Sequence, residues 1–168
     1  MQKDPSISHQ PSVDEPPDTQ CRIDISIAEQ QLILRCGEDI IRSYPISSSR
    51  FGLGTEEGSM KTPLGRFKVA EKIGHDMPHG TIFRSRLPLR PEEPLPQTED
   101  LVTSRILWLE GLEPQNANTK QRFIYIHGTK HEDRIGRPDS HGCIRMRNED
   151  VIDLFNRVEE GTHVLIAE

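Results

Sequence analysis

Reactive side chains concentrate in one stretch of this chain. Arg122-Phe123-Ile124-Tyr125-Ile126-His127-Gly128-Thr129 is an apolar run ending on a histidine and a glycine. Sixteen residues beyond His127 lies Cys143, within Ser140-His141-Gly142-Cys143-Ile144-Arg145-Met146. A free thiol has a pKa of about 8.5 and reacts as the thiolate. A neighbouring imidazole can take its proton. Backbone N–H groups around Gly142 can hold a developing oxyanion, because glycine lets the chain approach closely. Thiol, base and oxyanion donors together point to acyl transfer. Two histidines compete as base. His141 stands two residues before Cys143, on the same face if the segment is extended. His127 is distant in sequence, as a spatially adjacent base commonly is, and is the preferred reading.

Blander readings stand beside this one. His127, His131, His141 and Cys143 are all plausible zinc ligands. However, the spacing from His127 to His131 suits a helix, while Gly128 and the preceding apolar run do not. No metal or cofactor is therefore expected. Cys21 and Cys36 read as small buried hydrophobes or turn residues. His9, His75, His79 and His163 read as surface or loop histidines, and Glu92-Glu93 and Glu159-Glu160 as solvated faces.

The elements that must position these residues are mostly strands. Arg22 to Ile27 alternates strictly, as a half-buried strand does. Gln31 to Arg35 and Ile40 to Tyr44 are two further runs, separated by Cys36-Gly37-Glu38-Asp39 with hairpin-turn chemistry. Residues 46–65 read as loop. Arg66 to Glu71, Ile106 to Leu109, Phe123 to His127 and Thr162 to Ile166 read as strands. Between them, Pro88, Pro91, Pro94 and Pro96 exclude a helix or central strand. The long loop 72–105 is expected to shape the pocket. Val151, Leu154, Phe155 and Val158 carry the one clear helical period, with Asn148 as its cap and Gly161 as its stop. The fold class expected is mostly β, with a single core and one principal C-terminal helix.

Composition bounds the function. The chain has 168 residues and a formal net charge of -6, which argues against a nucleic-acid binder and against docking on anionic lipid. Residues 1–20 are polar and carry four of the 13 prolines, which predicts a disordered tail before a domain at 21–168. The longest apolar runs, Ile106 to Leu109 and Val164 to Ala167, are too short for a membrane span or a secretory signal. With three cysteines, an odd set, this leads to an expectation of free thiols in a reducing, cytoplasmic compartment. A periplasmic location is expected instead if the sequence is a trimmed piece.

The residues then show a family resemblance. His127-Gly128, followed by Ser140-His141-Gly142-Cys143-Ile144-Arg145, resembles the signature of the L,D-transpeptidase catalytic domain (YkuD-like) family. Thr62-Pro63-Leu64-Gly65-Arg66-Phe67 and the ending Gly161-Thr162-His163-Val164-Leu165-Ile166 are similar to two further family elements. The resemblance covers about residues 21–168 and implies a β-sandwich-like fold. It implies Cys143 as nucleophile, His127 as proton acceptor and donor, and the Gly128 backbone carbonyl orienting His127. It also implies an oxyanion pocket from His141, Gly142 and Cys143 beside Ser140. Arg145 would order the site or meet a substrate carboxylate. The implied substrates are peptidoglycan stem tetrapeptides or soluble muropeptides, losing a terminal D-alanine. Expected cytoplasmic residence favours water as acceptor, making an L,D-carboxypeptidase of muropeptide recycling. The alternatives are a transpeptidase forming 3→3 crosslinks or exchanging D-amino acids, and an inactive module that binds peptidoglycan fragments.

Overall fold

Alternating apolar residues build the first layer. In β1 (Cys21–Ser26) and β2 (Gln31–Cys36), Ile23, Ile25, Leu32 and Leu34 are buried while their neighbours are not. The computed structural model describes residues 20–168. The expected disordered tail therefore lies, except for Gln20, outside the described residues. β3 (Asp39–Pro45) completes the meander on β2. After a strand-poor segment come β4 (Gly65–Ile73), β5 (Ile82–Arg84), β6 (Leu87–Pro88) and β7 (Val102–Gly111). They are followed by β8 (Tyr125–Gly128), β9 (Ile144–Met146), the helix α1 (Asn148–Arg157) and β10 (His163–Ala167).

Among the described residues the chain is thus mostly β with one α-helix, as expected. Its ten strands form one hydrogen-bonded network, in the order β3-β2-β1-β10-β4-β7-β5-β6, and β8 and β9 branch from β7. β7 is the shared strand. It pairs with β4, β5 and β8, and β8 pairs in parallel with β9. Both arms of the network contribute to one core. Ile23, Leu34, Val69 and Val164 come from one arm and Ile126, Ile144 and Met146 from the other, with Val151, Leu154 and Phe155 of α1 packed among them. Among the described residues no helix is long and apolar enough to cross a membrane.

Several sequence expectations are corrected. Cys21 and Cys36 are neither free nor merely packed: they form a disulfide. The turn at 27–30 puts these two residues opposite each other at the end of the β1–β2 ladder. Asn148 does not cap α1. Arg147 holds the cap position, and Asn148 is the first helical residue, 7% exposed, with its backbone N–H donating to Glu132 Oε1 at 2.9 Å. The helix stops at Arg157, where Val158 turns extended, rather than at Gly161. β7 begins earlier than its apolar run because Thr103, Ser104 and Arg105 are buried polar residues, invisible to a hydrophobic pattern. Phe123 lies outside β8, half-exposed, with φ at 57°. The stretch 72–105, expected as one loop, holds the end of β4, the β5–β6 hairpin and the start of β7.

Candidate active site

The β8–β9 pair has two unlike faces. Ile126 is in register with Ile144, and both point into the main core. Side chains alternate along a strand, so Tyr125 and His127 on β8, with Cys143 just before β9 and Arg145 within it, take the opposite face. Tyr125 and Cys143 accordingly belong to a second, smaller apolar cluster with Phe83 and Ile106.

Cys143 is the free cysteine and is partly exposed. The Tyr125 backbone N–H donates to its Sγ at 3.3 Å, and its thiol donates to the Phe123 carbonyl at 3.4 Å. Desolvation pushes the thiol pKa up to about 12, and Asp100 adds to this, while the Tyr125 N–H, Arg122 and Arg145 oppose it. The resting group is therefore a neutral thiol. His127 is 1% exposed, and its Nδ1 lies 2.6 Å from the Gly128 carbonyl oxygen. A carbonyl only accepts, so Nδ1 carries the proton and Nε2 keeps a basic lone pair. Burial holds the imidazole pKa below its ordinary value, with Arg145 in the same direction and Asp100 and the Gly128 carbonyl opposing. A neutral base results at pH 7.

Gly128 is fixed by space as well as by its carbonyl. A Cβ there would stand 2.6 Å from both Asn148 Oδ1 and the Thr103 carbonyl oxygen. Those atoms belong to a buried polar knot. Asn148 Oδ1 accepts from the Thr103 and Ser104 hydroxyls at 2.6 Å each, and its Nδ2 donates to the Thr129 carbonyl at 2.9 Å. The polar knot ties the irregular start of β7 and the residue after Gly128 to the first turn of α1.

The cysteine turn is held from three sides. Ser140 Oγ donates to the Cys143 carbonyl at 2.6 Å and accepts the Gly142 N–H at 3.2 Å. Thr62, from the Thr-Pro-Leu-Gly element, donates its hydroxyl to the Gly142 carbonyl at 3.0 Å while accepting the Ser49 N–H at 2.9 Å. Gly142 has φ at 125°, a region that disfavours other residues. The His141 N–H donates to Asp100 Oδ2 at 3.1 Å. Of the three expected oxyanion donors, two are thus committed within the protein.

The two histidines differ in their surroundings. His141 Nε2 lies 2.6 Å from Arg50 Nη2, so its lone pair faces a guanidinium rather than the thiol. His131 Nε2 meets the Glu99 carbonyl at 3.1 Å. Among the described residues no three His, Cys, Asp or Glu side chains converge as a metal site. Arg145, 2% exposed, pairs through Nη2 with Asp139 and through Nη1 with Asp100 Oδ1 at 3.5 Å. Its β9 backbone also bridges to Ser47 in both directions at 2.9 Å. Both aspartates thus hold the Arg145 guanidinium within the protein. Sequence reasoning missed Asp100, Asp139 and Asn148. All three are polar residues in loops or at a helix start; Asp100 and Asn148 have partners far away along the chain, while Asp139 meets Arg145 only six residues on.

The L,D-transpeptidase catalytic domain model matches residues 20–166. The chain is 29% identical over 156 residues to the putative L,D-transpeptidase YkuD of Bacillus subtilis, covering 93% of this chain and 71% of that protein. It is 46% identical over 50 residues to the putative L,D-transpeptidase YqjB of the same organism, covering 30% of this chain and 28% of that one. Among solved structures it resembles an L,D-transpeptidase from Mycobacterium smegmatis, with a TM-score of 0.59 at 17% identity, covering 89% of this chain and 59% of that one. It also resembles an L,D-transpeptidase from Xylanimonas cellulosilytica, with a TM-score of 0.59 at 19% identity, covering 92% and 63%. The chain thus spans less than two thirds of these solved chains.

Proposed function

The chain belongs to the L,D-transpeptidase catalytic-domain family, and on that footing we propose that it is a cysteine acyl-transfer enzyme acting on the L,D bond of peptidoglycan stem tetrapeptides. The observation that carries this reading is the shared face of β8 and β9. It presents a free thiol, and a buried neutral histidine whose Nδ1 proton is tied to Gly128.

In the proposed reaction the Cys143 thiol gives its proton to His127 Nε2 as Sγ attacks the carbonyl carbon of the third stem residue. The carbonyl oxygen becomes an oxyanion beside the Cys143 backbone N–H, since the His141 and Gly142 N–H groups are committed to Asp100 and Ser140. Collapse breaks the bond to the D-alanine nitrogen, which takes the proton back from His127 and leaves as the free amino acid. A thioester remains on Cys143. An amine acceptor then gives up a proton to His127 and forms an amide, while the thiol is regenerated. Water in the same place would give a tripeptide.

Water as the expected acceptor follows from residence in a reducing, cytoplasmic compartment. The Cys21–Cys36 disulfide supports an oxidising one, where such bonds persist. We therefore favour an amine acceptor and a location outside the cytoplasm. Mass spectrometry of one defined tetrapeptide incubated with the protein tests the reading, with and without a D-amino acid. Release of D-alanine is expected, together with exchange when the amino acid is present. Absence of D-alanine would overturn the reading, and tripeptide alone would restore hydrolysis.

A further inference from the structure

A second cation lies on the candidate-site face, and its setting is the reverse of that of Arg145. Arg145 is buried against two aspartates. Arg86 is partly exposed and makes no ion pair with a carboxylate among the described residues. Its guanidinium sits 4.8 Å from the Trp108 ring centroid and 5.1 Å from that of Phe123. One nitrogen, Nη1, donates to the Tyr125 hydroxyl at 3.1 Å. A guanidinium has five N–H donors in a planar fork, so most of its donors remain unspent.

This cation shares two neighbouring residues with the thiol. The residue it touches, Tyr125, donates its backbone N–H to Cys143 Sγ, and the ring it covers belongs to Phe123, whose carbonyl accepts from that thiol. Arg86 is also placed there at a conformational cost. β5 and β6 pair as Arg84 with Leu87, leaving a two-residue turn of Ser85 and Arg86. Both have positive φ, 48° and 65°, as primed hairpin turns require. Such turns favour asparagine and glycine, and a side chain held in a disfavoured backbone region often serves a function.

We infer that Arg86, on its Trp108–Phe123 bed, is a carboxylate-binding subsite that selects the anionic form of the peptide at Cys143. A guanidinium fork matches a carboxylate with two parallel hydrogen bonds, and an aromatic platform fixes its plane. The inference rests on the stem-peptide reading above. Such a peptide has two sources of the carboxylate, the terminal D-alanine and, in a diamino-acid stem, the side chain of the third residue.

Binding to the Cys143→Ala protein separates the sources from one another and from turnover. Three tetrapeptides are compared by calorimetry: fully acidic, amidated on the third-residue side chain, and amidated at the C-terminus. At least tenfold weaker binding is expected for one amide, which identifies the carboxylate that is read. In Arg86→Gln on the same background this difference is expected to fall below twofold. Arg86→Lys should keep part of it, since the charge remains and the fork is lost. Equal binding of all three peptides to the Arg86 protein, no binding at all, or an equal loss for all three in Arg86→Gln would each overturn the subsite. Failure of the Cys143-containing protein to release D-alanine would overturn the proposed reaction while leaving an Arg86-dependent discrimination standing.

Discussion

The two faces of β8 and β9 are made from neighbouring residues and do opposite things. Ile126, Ile144 and Met146 are fully buried among apolar side chains of both arms of the sheet and of α1. One residue out of step, Tyr125, His127, Cys143 and Arg145 face the candidate site. The inner face is held by contact area among apolar side chains. The outer face buries a histidine and an arginine, and each has polar partners: the Gly128 carbonyl for one, Asp100 and Asp139 for the other. A strand's two-residue period therefore lets one short pair anchor the core and carry chemistry at once. A one-residue slip would exchange the two sets.

The sharpest break of that comparison is on the outer face. Cys143→Ala is expected to lower D-alanine release by more than about 10³-fold with little change in melting temperature. His127→Ala should cost about 10²–10⁴-fold, the usual range for a general base. The pH dependence follows from the environments. Because burial lowers the His127 pKa, the acid limb of turnover should fall below the ordinary imidazole value. Because the thiol is pushed up to about 12, alkylation of Cys143 in the free protein should keep rising with pH beyond 9. A plateau in alkylation below pH 8 would show a preformed thiolate–imidazolium pair instead.

The inner face should respond in the other currency. Ile144→Ala removes a fully buried side chain between the two arms and is expected to cost about 2–5 kcal/mol of stability. Turnover per folded molecule should stay within a few-fold of the parent, because Ile144 points away from the thiol. Denaturant unfolding together with turnover corrected for the folded fraction measures both. A large loss of turnover in well-folded Ile144→Ala would mean that the faces are not separable.

What was legible in the sequence followed the same division. The alternation in β1, the period of α1 and the His-Gly and Ser-His-Gly-Cys-x-Arg segments are local patterns, and each could be read directly. The partners that hold the outer face were not legible. Asp100 comes from a proline-rich stretch and meets His141 N–H, 41 residues away. Asn148 has the sequence habits of a helix cap, yet it spends its amide on Thr103, Ser104 and Thr129. Arg86 gains meaning only from a hairpin tip folded over Trp108. Each of these depends on tertiary proximity, and no spacing rule encodes that.

The smallest effect on turnover is expected farthest from this face, at the Cys21–Cys36 bond. The sequence made these two cysteines look incidental because the odd total suggested free thiols. The register shows otherwise: strands 21–26 and 31–36 are equal in length, so an antiparallel turn between them sets the first cysteine against the last. The bond closes a short loop, with a sequence separation of 15, and a crosslink of that span is worth up to about 3 kcal/mol through the unfolded chain. Cys21→Ser with Cys36→Ser should therefore lower the melting temperature and leave D-alanine release within about twofold. Thiol titration of the unreduced, unfolded protein should count one reactive cysteine, Cys143. Three reactive cysteines would remove the support for an oxidising compartment and revive the hydrolytic reading. One cysteine with unchanged turnover in the double serine variant would show that the chemistry on β8 and β9 is independent of the staple at the sheet's other end.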